Sequence, residues 1–115
     1  MSQYLVLIYE DESAWGSADE ATFKKVMDGH NEFGEQNAAA LRGGNALHPS
    51  SSATSLRRDA TGKLVVTDGA FAETKEALGG YYLVEATDLD GALALAKQIP
   101  APFGGLEVRP IRTFD

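Results

Sequence analysis

The sequence predicts an α+β domain in which an antiparallel sheet carries two helices on one face. Short runs of β-branched and aromatic residues are interleaved with two segments of helical periodicity, and turn signals separate them at close intervals. The length of 115 residues suits a single domain over residues 1–115 with one modest core, because a chain of this size buries about 65% of the surface its unfolded form exposes.

Gln3–Tyr9 lacks polar alternation, the pattern of a strand covered on both faces. Ser17-Ala-Asp-Glu20 reads as a capping box, its hydroxyl and carboxylate satisfying the first amides of a helix. Phe23, Met27, His30, Phe33, Asn37 and Leu41 recur at three- and four-residue spacing and so share one face, before Arg42-Gly-Gly44 supplies a cation and a glycine stop. Ala53–Arg58 and Lys63–Thr67 form two short strands joined by Asp59-Ala-Thr-Gly62, whose Gly62 can take a positive φ. Gly80–Glu85 is a further strand with apolar side chains facing both ways. Thr87-Asp-Leu-Asp90 then caps a second helix with a stripe of Leu89, Ala92, Leu93 and Ala96, ended near Pro100. Leu106–Ile111 is the last strand, with Pro110 favouring an edge or terminal position. Strand, helix, three strands, helix, strand is the order of a ferredoxin-like sandwich.

Two helices cover one face of such a sheet. Tyr4–Ile8 and Tyr81–Val84 nevertheless place apolar groups on both faces, more than a soluble monomer usually exposes, so the expectation is a homodimer with its sheets face to face.

A formal charge of -7 argues against a nucleic-acid partner, which requires concentrated Lys and Arg. With no cysteine there is neither a disulfide framework nor a thiolate metal site. MSQYLVLIYEDE has no basic start, cleavage site or membrane-length apolar run, and the expected location is cytoplasmic, without membrane contact. The Gly-Gly pairs at 79–80 and 104–105 lack the strand–Gly-x-Gly-x-x-Gly–helix context, so no dinucleotide or other cofactor is implied.

His30 sits on the apolar stripe of the first helix, as either a hydrogen-bonded core residue or the floor of a pocket. Asn37 lies on the same stripe, and two polar groups on a buried face raise the case for a cavity. His48, in Leu-His-Pro, reads as a surface-loop residue, and no histidine pair has metal-ligand spacing. VVTDGAFAETKEALGGYY places Thr67, Asp68, Glu73, Thr74, Lys75 and Glu76 between two apolar segments. Asp68-Gly69 is a turn pair in its own right, and Glu73, Lys75 and Glu76 are solvated loop charges or pocket lining.

The stretch VVTDGAFAETKEALGGYYLVEATDLDGALALA, followed by GGLEVRPI, resembles the DGPF group of the YCII-related proteins, and YLVLIYEDE and ALRGGNALHP fit it too. The resemblance implies a dimeric α/β barrel. It also implies association with extracytoplasmic-function sigma factors in some members, and in the wider family a catalytic His and Asp pair, with one branch performing elimination on a chlorinated aromatic. Asp68, Gly69 and Phe71 match the signature loop, whereas Ala70 replaces its proline and would loosen the loop by up to about 1 kcal/mol. His30 lies on the first helix, as the family's histidine does, and Gly91 stands where family helices carry Glu.

Two readings follow. In one, the chain is a small homodimeric ligand-binding or accessory module, linked to a sigma factor, without turnover. In the other it is a lyase or isomerase: His30 abstracts a proton, Asp68 orients the imidazole, and Lys75 or Arg109 steadies an anionic substrate in a site bordered by Asn37, Thr67, Phe71, Glu73 and Tyr81.

Overall fold

The structure is a computed structural model that describes residues 1–114. In chain order it comprises β1 (Ser2–Glu10), α1 (Glu12–Gly16), α2 (Glu20–Gln36), β2 (Leu41–Ala46), a 3₁₀ turn (Ser50–Ser52), β3 (Thr54–Arg58), β4 (Leu64–Asp68), β5 (Ala77–Ala86), α3 (Leu89–Ala96) and β6 (Gly104–Pro110). Four strands form one antiparallel sheet in the order β2-β5-β1-β6, and β3 and β4 form a separate two-stranded ribbon. With the ribbon set aside, the path is β-α-β-β-α-β, consistent with the ferredoxin-like arrangement.

Strand alternation decides which residues meet the helices. Tyr4, Val6, Ile8 and Glu10 of β1 are buried, and the first three pack with Val84 and Ala86 of β5 against Phe33 of α2 and Ala92 and Ala96 of α3. Leu5, Leu7 and Tyr9 point the other way and are only half-buried. On that face Leu5 lies between Leu83 and Arg109, and Leu7 between Tyr81 and Glu107. The chain measures 49 × 47 × 17 Å, the thickness of one sheet and one helical layer. No described element covers the second face.

Several parts differ from the sequence reading. The first helix starts at Glu20 with Asp19 as its cap, accepting from the Thr22 amide at 2.8 Å, while Ser17 ends the unforeseen α1. Its buried residues are Val26 and Phe33, whereas Phe23 and Met27 are exposed. Val26, His30, Phe33 and Asn37 follow a four-three-four spacing that tracks one side of a helix more closely than the stripe through Phe23 and Met27. Leu41 and Arg42-Gly-Gly44 are not the end of that helix. They belong to β2, which pairs with β5 and is reinforced by the Arg42–Glu85 ion pair at 2.6 Å. Tertiary pairing overrides the low strand propensity of two glycines. On α3, Ala92 and Ala96 are buried while Leu89 and Leu93 are exposed, and Leu95 completes the inner face instead.

Candidate functional site

Loops 47–53 and 69–78 face each other across a groove of about 930 Å³ lined by Leu47, His48, Pro49 and the three serines Ser50–Ser52 on one side, and by Asp68, Gly69, Glu73, Thr74 and Leu78 on the other. Both walls are tied down by hydrogen bonds. The Glu12 carboxylate, presented by α1, accepts from the Ser50 amide at 2.7 Å and from the Ser50 hydroxyl, so the short helix anchors the 3₁₀ turn. The Gly69 amide donates to the Ala53 carbonyl at 2.6 Å, and Leu47 donates to the Gly79 carbonyl at 2.9 Å. Thr74 closes its own loop by donating to the Glu76 carbonyl at 2.6 Å. Gly69 has φ +99°, which lets the chain turn directly after Asp68.

The groove has a definite chemistry. Asp68 and Glu73 offer carboxylate acceptors, His48 an exposed imidazole, and Ser51 and Thr74 hydroxyls, among apolar Leu47, Ala53, Ala72, Ala77 and Leu78. No Lys or Arg lines it. It therefore favours a ligand that donates hydrogen bonds over an anion. No group of three or more His, Cys, Asp or Glu able to hold a metal occurs among the described residues.

His30 and Asp68 are not brought together within the chain. They share neither a hydrogen bond nor an ion pair, and His30 does not line the groove. Instead the Nδ1 of His30 lies 2.7 Å from the Tyr82 hydroxyl, between α2 and the sheet. Burial lowers the His30 pKa below its ordinary value of 6.5, and the negative charge of buried Glu10 only partly opposes that shift. Burial likewise raises the Tyr82 pKa, so the pair is held neutral near neutral pH. Glu10 accepts from the Phe103 amide at 3.1 Å. The ring of Tyr82 also meets Phe33 at 4.9 Å between centroids, and Gly44 leaves it room: a Cβ there would stand 2.6 Å from Tyr82 Cδ1.

The candidate residues are spread over five places. Asp68 and Glu73 share the groove. Thr67 and Phe71 line a shallower hollow of about 330 Å³ on the ribbon, where the Arg57 guanidinium lies 4.3 Å over the Phe71 ring. Asn37 caps α2 and spends its amide on the Phe33 carbonyl at 2.9 Å and on Gln98 at 2.8 Å. Tyr81, bonded to Asn45 at 3.0 Å, and Arg109, 3.9 Å from Glu107, belong to the open sheet face. Lys75 is exposed on its loop and lends its charge to Asp11. Neither Lys75 nor Arg109 reaches the groove.

The sequence reading set His48 aside as a loop residue. Its position in ALHPS, immediately before three consecutive serines, was the available signal, and the register of β2 on β5 is what swings that loop towards Asp68.

Comparison with known proteins places the chain in a family. Residues 2–115 match the YCII-related domain. An uncharacterised protein of Rhizobium meliloti is 37% identical over 118 residues, an alignment that covers 96% of this chain and 93% of the relative. No helix among the described residues is long and apolar enough to cross a membrane. The chain belongs to the family of YCII-related domain proteins.

Proposed function

We propose that the chain is a homodimeric small-molecule-binding module whose ligand occupies the groove between loops 47–53 and 69–78. The observation that carries this reading is the shared lining: Asp68 and Glu73 of the signature loop face His48 and the serine turn across one concavity. A ligand of matching chemistry has an apolar body with hydroxyl or protonated amine groups, because the polar lining consists mainly of acceptors and hydroxyls. The dimer follows from the open sheet face, where Leu5, Leu7, Tyr81 and Leu83 form an apolar patch that no described element covers.

A thermal-shift screen of alcohols, amines and carboxylic acids tests the reading, with Asp68→Asn and His48→Ala beside the parent, since a ligand raises the melting temperature only where a competent site exists. Stabilisation of the parent by an alcohol or amine, reduced in both variants, supports it. A library that shifts nothing, or shifts all three proteins alike, refutes it.

A second reading is favoured by the presence of a histidine and a carboxylate in the same groove: a lyase or isomerase in which His48, rather than His30, takes the proton and Asp68 orients or charges the imidazole. Turnover that is strongly reduced in His48→Ala, with the acidic limb of the pH profile lost from whatever rate remains, separates this from binding alone.

A further inference from the structure

The β3–β4 ribbon has two unlike sides. Leu56, Val66 and Asp68 belong to one, while on the other Ser55 and Arg57 of β3 stand opposite Thr67 and Val65 of β4. After Asp68 the positive φ of Gly69 turns the chain back over this second side, and the Ser55 hydroxyl holds the turn by donating to the Gly69 carbonyl at 2.6 Å. Phe71 is thereby brought under the Arg57 guanidinium, which lies 4.3 Å over its ring, although Phe71 remains 63% exposed. The result is the hollow of about 330 Å³, with Val65, Ala70 and Phe71 as its apolar surface.

Its charges are unlike those of the groove. Arg57 and Arg58 line the hollow with one acid, Asp59, whose Oδ1 already accepts from the amides of Thr61 and Lys63. Arg58 donates to the Gly62 carbonyl at 2.9 Å. Arg57 has no such outlet: among the described residues no acid pairs with it and no oxygen accepts from its guanidinium. A ring face attracts the charge but leaves the fork of N–H donors to be satisfied. Ala70 lines both the hollow and the groove, so the two concavities lie back to back, one with cations and the other with Asp68 and Glu73.

We propose that the hollow is a second binding site, for a small monocarboxylate with a planar apolar body, such as an aromatic acid. Arg57 pairs with the carboxylate through parallel N–H donors, the Thr67 hydroxyl donates a further bond, and the ring rests on Val65 and Ala70. Two cations against one acid leave one net positive charge, which suits a monoanion better than a phosphate dianion. The site is independent of the groove ligand, because the groove has no cation and takes hydrogen-bond donors.

Proton–nitrogen NMR titrations with benzoate test it, with benzamide as the uncharged counterpart and inorganic phosphate as the non-planar anion. The proteins are the parent, Arg57→Gln, Arg57→Lys, Phe71→Leu and Lys63→Gln, a charge change on the same ribbon outside the hollow. All the substitutions replace exposed side chains, and circular dichroism checks the fold. Benzoate is expected to move the Ser55, Thr67 and Phe71 amides saturably in the parent and in Lys63→Gln, with affinity about tenfold or more weaker in Arg57→Gln. Arg57→Lys and Phe71→Leu should each bind several-fold more weakly, since Lys lacks the fork and Leu lacks the ring face that holds it. No saturable movement, an equal response to benzamide, or unchanged affinity in Arg57→Gln overturns the site. Phosphate bound as tightly as benzoate, or Arg57→Lys binding like the parent, reduces the hollow to a spot of positive charge and overturns it too. Alcohols and amines test the groove separately, so either site can fail while the other stands.

Discussion

The imidazole of His30 and the phenol of Tyr82 are hydrogen-bonded at 2.7 Å across the interface between α2 and β5, and this bond explains why a histidine lies on a largely apolar helical side. Removing the phenol oxygen by Tyr82→Phe leaves a half-buried nitrogen without its protein partner. The expected loss is about 1 kcal/mol in denaturant-unfolding stability, with ligand binding in the groove unchanged.

The same pair sets a pH dependence. Burial depresses the His30 pKa in the folded protein, so the unfolded chain binds the extra proton more readily. This contribution is complete above the unfolded value of 6.5 and is lost as the pH falls from there through the folded pKa. Urea midpoints measured from pH 7.5 down to 5 should fall less steeply in His30→Gln than in the parent.

Neighbouring glycines should respond very differently to the same change. A Cβ at Gly44 meets the Tyr82 ring at 2.6 Å and the Tyr81 carbonyl at 2.9 Å, whereas at Gly43 its nearest neighbour is Leu83 Cβ at 4.0 Å. Gly44→Ala should cost about 1–3 kcal/mol and Gly43→Ala well under 1 kcal/mol in thermal or urea unfolding. Equal costs would contradict the packing described around Tyr82.

Glu12 links a helix of five residues to the wall of the groove through both donors of Ser50. Glu12→Ala should lower stability by about 1–3 kcal/mol and weaken the ligand-dependent thermal shift, because the 3₁₀ turn loses its anchor. A full ligand response in this variant would show that the turn does not need to be held.

The central strands were legible because their apolar runs are continuous, and the Asp59–Gly62 and Asp68–Gly69 turns because each contains a glycine whose φ is indeed positive, +87° at Gly62 and +99° at Gly69. β2 was not legible: Leu41–Ala46 has neither alternation nor branched residues, and becomes a strand only by pairing with β5. The choice between Met27 and Val26 depended on helix rotation, which neighbouring apolar residues leave ambiguous. Within the site, Asp68 and Glu73 stood out through local density of charge. That Asp68 shares a groove with His48 and not with His30 could not be read, because it depends on where a loop twenty residues away comes to lie.

The two histidines, His30 and His48, offer the most direct test of the groove as the ligand site. Their imidazole resonances can be assigned with one His48→Ala spectrum and followed while the alcohols and amines that stabilise the protein are added. The account expects the His48 signal to move at saturable ligand concentration, the His30 signal to stay, and the response to shrink in Asp68→Asn. Movement of His30 alone, or of neither histidine with any such ligand, would contradict it.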